Sequence, residues 1–239
     1  VYTVGGGGAY SAGSPGVHIS QNFSVVGINY QLYNGASTVG SPLAGAASGL
    51  DFGVITTPGT YSVLATNTTT GCTSAMSGAP TVVVNALPVV YNMTGGGSYC
   101  AGGTGVAVGL SGSETGINYQ LYNGSSVVGS AVAGTNSAFS FGVFTASGTY
   151  SVRATNATTG CVRNMNGTST VVINALPLVY NITGGGSYCA GGTGVHIGVS
   201  NSEIGVNYQL YNGVTAVGSA MPGAAAGIDF GLITSAGTY

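Results

Sequence analysis

The chain has 239 residues, of which two are basic and four acidic, while 44% are apolar; an ordinary soluble domain carries about 25% charged residues. Arg153 and Arg163 are the whole basic complement, which excludes the clustered Lys and Arg that DNA, RNA or anionic lipid would require. No apolar run reaches the roughly 18 to 20 residues of a membrane span.

Such low charge together with 45 glycines suggests low complexity, yet Val, Ile, Leu and Tyr recur in period-2 runs that can bury a core. A folded chain is expected, with solubility supplied by Ser, Thr, Asn and exposed backbone or by attached sugar. The run Tyr-Gln-Leu-Tyr-Asn-Gly occurs at Tyr30, Tyr119 and Tyr208, 89 residues apart both times. A fixed period without insertions is the signature of an array. The first repeat runs over 1–88, the second over 89–177 and the third over 178–239, and all 15 tyrosines fall at five recurring positions. Asn-Ala-Leu-Pro closes the first two repeats at Pro88 and Pro177, where proline ends a strand by removing a ladder donor. So short a junction predicts a semi-rigid array.

In chain order, the second repeat predicts seven segments. Val90 to Thr94 is a short first strand, followed by a glycine-rich crossing, Gly95 to Gly105, expected to be flexible. Val106, Val108 and Leu110 alternate inward on the second. Ile117 to Tyr122 is the third, and Asn-Gly, able to take positive φ at both turn positions, leads to Val127 and Val128 on a fourth. Phe139, Phe141 and Val143 form the fifth. Tyr150, Val152 and Ala154 point inward on the sixth, with Arg153 outward, and Thr170 to Ile173 makes the last. Seven short strands in a repeat of 89 residues, with no helical period, predict an all-β fold of tandem Ig-like antiparallel β-sandwich domains, Tyr150 standing where a tyrosine corner belongs. The equivalent inward residues of the first repeat are Tyr30, Phe52, Tyr61 and Val63.

Thr-Gly-Gly-Gly-Ser-Tyr-Cys-Ala-Gly-Gly (Thr94 to Gly103 and Thr183 to Gly192), Gly-Thr-Tyr-Ser-Val, Ala-Thr-Asn-Ala-Thr-Thr-Gly-Cys (Ala154 to Cys161) and Asn-Ala-Leu-Pro resemble the tandem Ig-like repeats of large secreted and surface, adhesin-like proteins of gliding-type bacteria. The resemblance covers the whole chain. It implies an extracellular, cell-surface or secreted location and a structural or adhesive role, as a segment of fibre or adhesin shaft, and it carries over no catalytic residue and no cofactor. The implied partners are neighbouring repeats or chains in a filament, and glycans.

Cys100 and Cys189 lie in the glycine-rich segment, with Ser11 in the first copy; Cys72 and Cys161 follow the sixth strand. No Cys-x-x-Cys pair makes a zinc site, so in an exported chain disulfides are expected. Pairing across the junctions, Cys72 with Cys100 and Cys161 with Cys189, leaves none free and is preferred. The alternatives are Cys100 with Cys161, and contacts between chains. Asn22, Asn67, Asn92, Asn123, Asn156, Asn166 and Asn181 open Asn-x-Ser/Thr sequences, readable as glycan acceptors or as chance in so Asn- and Thr-rich a chain. Thr68 to Thr70, Thr158 and Thr159 offer hydroxyl acceptors.

The outward aromatics Tyr33, Tyr122 and Tyr211 would be the stacking platforms of a carbohydrate-binding alternative. No enzyme is expected: Asp51 and Asp229 share a position that is Ser140 in the second copy, Glu114 and Glu203 one that is Val25 in the first. No repeat gathers paired carboxylates, a calcium cage or a nucleophile with its base. His18 and His196 read as surface histidines. Tyr239 matches Tyr61 and Tyr150, so the third repeat is expected to lack its last strands. It would be completed by continuation of the polypeptide, the preferred route, or by strands from a neighbour.

Overall fold

The computed structural model describes Val1–Tyr239 and contains strands but no helix. The chain divides into two compact units, Val1–Tyr99 with Thr104–Val172, and Cys100–Gly103 with Ile173–Tyr239. The first unit thus holds most of the first two repeats and the second the third. The first repeat makes β1 (Val4–Gly6), β2 (Gly8–Ser11), β3 (Val17–Gln21), β4 (Ile28–Asn34), β5 (Ser37–Ala44), β6 (Leu50–Ile55), β7 (Gly59–Asn67), β8 (Thr73–Ala75) and β9 (Thr81–Asn85). One sheet has the order β1-β3-β6 and the other β2-β9-β7-β4-β5, with β8 also on β7. The second repeat reproduces both sheets. Two facing sheets with this order are an Ig-like sandwich.

Nine strands stand where seven segments are expected, and for the first of the two additional strands the physical reason is glycine. The segment read as a flexible crossing is an ordered switch: β1 pairs antiparallel with β3 in one sheet, and after Gly6 and Gly7 the chain re-emerges as β2, parallel to β9 in the other. Gly6 has φ +86° and a Cβ there would lie 2.3 Å from His18 O; Gly7 has φ +71° and a Cβ would lie 2.6 Å from Thr81 O. No side chain fits either place. In the second repeat the first strand is correspondingly Met93–Gly95, later than expected, with Gly97–Cys100 as the β2 counterpart. The other additional strand, β8, lies outside every expected segment and pairs with the end of β7, while β9 pairs with its start.

The hairpin turn is displaced by one residue from the expected position. Asn34 still pairs with Ser37, so the turn residues are Gly35, at φ +58°, and Ala36, which does not take positive φ. Glycine first is the II′ arrangement, and the expected positive φ at both positions does not occur. Asn34 is thereby free to donate from Nδ2 to Pro58 O and Tyr61 Oη, both at 3.2 Å. The outward Gln31 also has work to do. The β4–β5 ladder shifts register between Tyr30 and Leu32, and Gln31 Nε2 reaches Leu32 O, Val39 O and Gly40 O. Gln120 and Gln209 make the same three contacts in their repeats.

The inward faces are as the alternation predicts. Tyr30, Leu32, Tyr61 and Val63 are buried in the first repeat, with Phe52 packed at the edge of the cluster; Tyr119, Leu121, Tyr150, Val152 and Ala154 are buried in the second. In the strand Phe139–Phe144 the alternation breaks at Gly142, φ +117°. Val143 consequently faces solvent, and Phe144 lies 5.1 Å from Tyr150, ring centroid to centroid. Tyr150 Oη donates to Ala146 O at 2.8 Å, as Tyr61 Oη does to Thr57 O and Tyr239 Oη to Ser235 O. Each tyrosine ties down the turn four residues upstream, as a tyrosine corner does.

The third repeat contains Ile182–Gly184, Val195–Val199 and Ile228–Ile233 in one sheet and Asn207–Asn212 with Thr215–Pro222 in another. Its buried cluster is Ile197, Leu210 and Ile233, with Tyr239 packed against it.

Replacing Tyr150 with Ala should destabilise the second repeat by about 3–5 kcal/mol. Replacing it with Phe, which keeps the ring and loses the hydroxyl, should cost about 1 kcal/mol. Urea unfolding followed by circular dichroism checks both; a Tyr150→Ala chain that unfolds like the parent would place this ring outside the core.

Candidate functional site: the junction between repeats

The first two repeats meet through a small set of polar contacts centred on the junction. The parallel register Ser11↔Asn85 brings the ends of β2 and β9 together at the trailing end of the first repeat. β7 runs antiparallel to β9, so the loop after β7 belongs to the opposite, leading end. In the second repeat that leading loop follows the strand Gly148–Asn156. It is closed by Asn156 Oδ1, which accepts the N–H groups of Thr158 and Thr159, and it delivers Cys161. The Cys161 side chain, 1% exposed, has its Sγ 3.0 Å from Ser11 Oγ and 3.9 Å from Asn85 O. Arg163 Nη1 donates to Pro88 O at 3.3 Å, and the backbone N–H of Val89 donates to Glu114 Oε2 at 2.6 Å. Ionised partners make both bonds stronger than neutral ones.

Glu114 is therefore a clamp on the first residue of its repeat. Glu203 does the same for Leu178, whose N–H lies 2.7 Å from Oε2. The first repeat has Val25 there. A carboxylate recurring 25 residues after the first residue beyond the junction proline, with no second acid near it, was the available signal.

All four cysteines are unpaired. At the junction of the first two repeats the arrangement is the reverse of the expected Cys72–Cys100 pair. It brings the end of β2 in the earlier repeat, at Ser11, to the loop before Cys161 in the later, whereas that pair would join the leading end of the earlier repeat to the trailing end of the later. The alternative pair, Cys100 with Cys161, would join opposite ends of one repeat. Strand direction is the reason in each case.

The sequon asparagines differ in what their side chains do. Asn67, like Asn156, closes its loop by accepting from the N–H groups of residues two and three ahead, Thr69 and Thr70. That local bonding accounts for their recurrence. Asn123 Nδ2 donates to Ser147 O, the same bond made by Asn34 and Asn212, which are not in sequons. The nitrogen a glycan would use is engaged there. Asn166 Nδ2 donates to Asn92 Oδ1 at 2.7 Å, and Asn22 Oδ1 accepts from Thr3 N. Asn22, Asn92, Asn166 and Asn181 are exposed, whereas Asn67, Asn123 and Asn156 are half-buried.

The three outward tyrosines are not equivalent. Tyr33 and Tyr122 are half-buried, and Arg153 lies over the Tyr122 ring with Cζ 5.4 Å from its centroid. Tyr211 is 49% exposed. Arg153 points outward, as expected, and the contact is a cation–π pair.

His18 and His196 occupy exposed slots and each meets an aspartate across the sheet: His18 Nδ1 to Asp51 Oδ2 at 2.8 Å, and His196 Nδ1 to Asp229 Oδ2 at 2.6 Å. The sequence carried this signal, since His and Asp occur together in the first and third copies and are replaced together by Ala107 and Ser140 in the second. Asp51 is held below the usual carboxylate range, first by the N–H of Gly53 and then by His18. Ser140 Oγ takes over the Gly53-type bond, accepting from Gly142 N. Nowhere do three His, Cys, Asp or Glu side chains converge as a metal would require.

No protein-family model matches the chain, and no curated protein does. Some solved structures are similar to it at low identity. The fibronectin(III)-like modules of Clostridium thermocellum CbhA are 13% identical over 72% of this chain and 95% of theirs, with a TM-score of 0.38. Murine CEACAM1b is 12% identical over 73% of this chain and 100% of its own, TM-score 0.38. Three N-terminal domains of the Hoc protein of bacteriophage RB49 are 13% identical over 98% of this chain and 86% of theirs, TM-score 0.31.

Two outcomes follow from these environments. A maleimide should label Cys72, Cys100 and Cys189 quickly in the native chain and Cys161 after unfolding, as read by peptide mass; equal rates would remove Cys161 from a closed junction. Because the folded pKa of Asp51 is lowered, its contribution to stability is present above the unfolded value near 4 and is lost as pH falls through the lower folded value. Asp51→Asn should therefore reduce the acid sensitivity of the first repeat below about pH 4, a difference measurable as melting temperature against pH.

Proposed function

We propose that this chain is a structural segment of an extracellular bacterial fibre or adhesin shaft, built from tandem Ig-like repeats and without catalysis. The observation that carries the reading is the clamped junction: Glu114 on Val89, Arg163 on Pro88 and buried Cys161 against Ser11. Side chains committed to fixing one repeat against the next are what a load-bearing or reach-extending array needs. Flexible beads would need none of them. The sparse charge supports a surface dressed with sugar, for which Asn92 and Asn181 at equivalent exposed positions are the best acceptors and Asn123 the poorest. No helix is long and apolar enough to cross a membrane. Arg153 and Arg163 both lie in strands, Gly148–Asn156 and Val162–Asn164, which suits a chain that must outlast proteases.

A carbohydrate-binding role for the tyrosines has weaker support, because Arg153 covers Tyr122 and Tyr33 is half-buried. Spin labels placed at Ser37 and Ser126, with the native cysteines replaced by serine, test the preferred reading. The parent should give one narrow distance distribution, and the Glu114→Gln, Arg163→Ala double variant a broader one. A broad distribution in the parent would remove the shaft reading. Glycan-array binding that disappears in Tyr211→Ala would favour the second.

A further inference from the structure

We propose that the contact between Ser11 and Cys161 marks a disulfide position between successive repeats, joining the end of β2 in one repeat to the loop after β7 in the next. This pairing differs from every one expected from spacing. It rests on the junction geometry and not on the shaft reading, so either can fail alone.

Two observations carry it. The first is placement: Ser11 Oγ and Cys161 Sγ are 3.0 Å apart, with Cys161 closed off from solvent. A sulfur–sulfur bond is about 2 Å long, so a thiol in place of the hydroxyl leaves roughly 1 Å to close, within reach of side-chain rotation. The second is the repeat pattern. The Ser11 position is cysteine in both other copies, Cys100 and Cys189, and the Cys161 position is also cysteine in the first copy, Cys72. Wherever the sequence contains either position a thiol stands there, except for Ser11 in the first repeat. Cys72 is exposed where Cys161 is buried, and what covers Cys161 includes the trailing end of the repeat before it, at Ser11 and Asn85.

A junction with cysteine on both sides, as Ser11→Cys would create opposite Cys161, would close by exchange with a small-molecule disulfide. Each protein thiol loses its proton and the pair together loses two electrons. The protein S–S bond forms, the S–S bond of the reagent breaks, and two small thiols leave. The serine at Ser11 leaves the junction between the first and second repeats without this link, held there by the contact of Ser11 with Cys161.

The test restores the missing thiol. In a full-length chain with Cys72, Cys100 and Cys189 replaced by serine, all three being exposed, Ser11→Cys is added and the protein treated with oxidised glutathione. Non-reducing peptide mapping should show the introduced thiol joined to Cys161 within one chain, in nearly all molecules, and no alkylation of either sulfur. A Ser14→Cys control in the same loop should give no such link. The proposal is overturned if the introduced thiol and Cys161 both remain alkylatable in protein with parental circular dichroism, if they are found only as glutathione adducts or in dimers, or if the control links as readily. Should the variant fold poorly, comparing Cys161 alkylation in the Ser11→Gly and parent chains keeps the claim open to refutation: faster labelling is expected, and an unchanged rate would separate Ser11 from the burial of Cys161.

Discussion

The fold depends on a change of sheet made by two glycines. Gly6 and Gly7, and Gly95 and Gly96 after them, take positive φ against carbonyl oxygens too close to admit any Cβ. The first strand can therefore belong to both sheets, lying beside β3 before the glycines and beside β9 after them. Without that switch β9 would have a bare edge along Val82–Asn85, a row of unpaired backbone groups open to association. The same switch sends the chain to the trailing end of the repeat. Core closure and the presentation of Ser11 to its neighbour are thus one structural event.

Polar side chains in this protein act mainly on backbone. Asn34, Gln31, Asn67, Glu114 and the tyrosine-corner hydroxyls each satisfy a carbonyl or N–H group left over by a turn, a register shift or a strand end. In a chain with few charges such groups cannot rely on ion pairs. Leaving them unpaired inside would cost about 1–3 kcal/mol each. Gln21 shows how closely this accounting runs: its Nε2 donates to Phe23 O, while its buried Oε1 has no partner.

Several positions that vary between repeats lie on the outer surface. His18 with Asp51 and His196 with Asp229 give way together to Ala107 and Ser140, and the backbone bond survives because Ser140 supplies the acceptor. Arg153 replaces Leu64 and covers Tyr122. The outer surface can therefore differ from repeat to repeat while the core tyrosines and turn asparagines stay fixed.

By itself the sequence determined the period, the strand-rich sandwich and the inward faces, because period-2 burial and the recurrence of Tyr30, Tyr61 and their equivalents are local properties of the chain. It also carried the His–Asp pairing as a co-occurrence, and the clamp as the recurrence of Glu114 at Glu203. Tertiary structure alone decided the rest. The turn moved by one residue because Asn34 is needed by Pro58 and Tyr61, the glycine-rich segment became a strand because β9 offers it an edge, and the partner of Cys161 became Ser11 because strand direction sets which end of a repeat meets the next. Each of these depends on a neighbour distant in sequence, and no spacing along the chain encodes direction across a sheet.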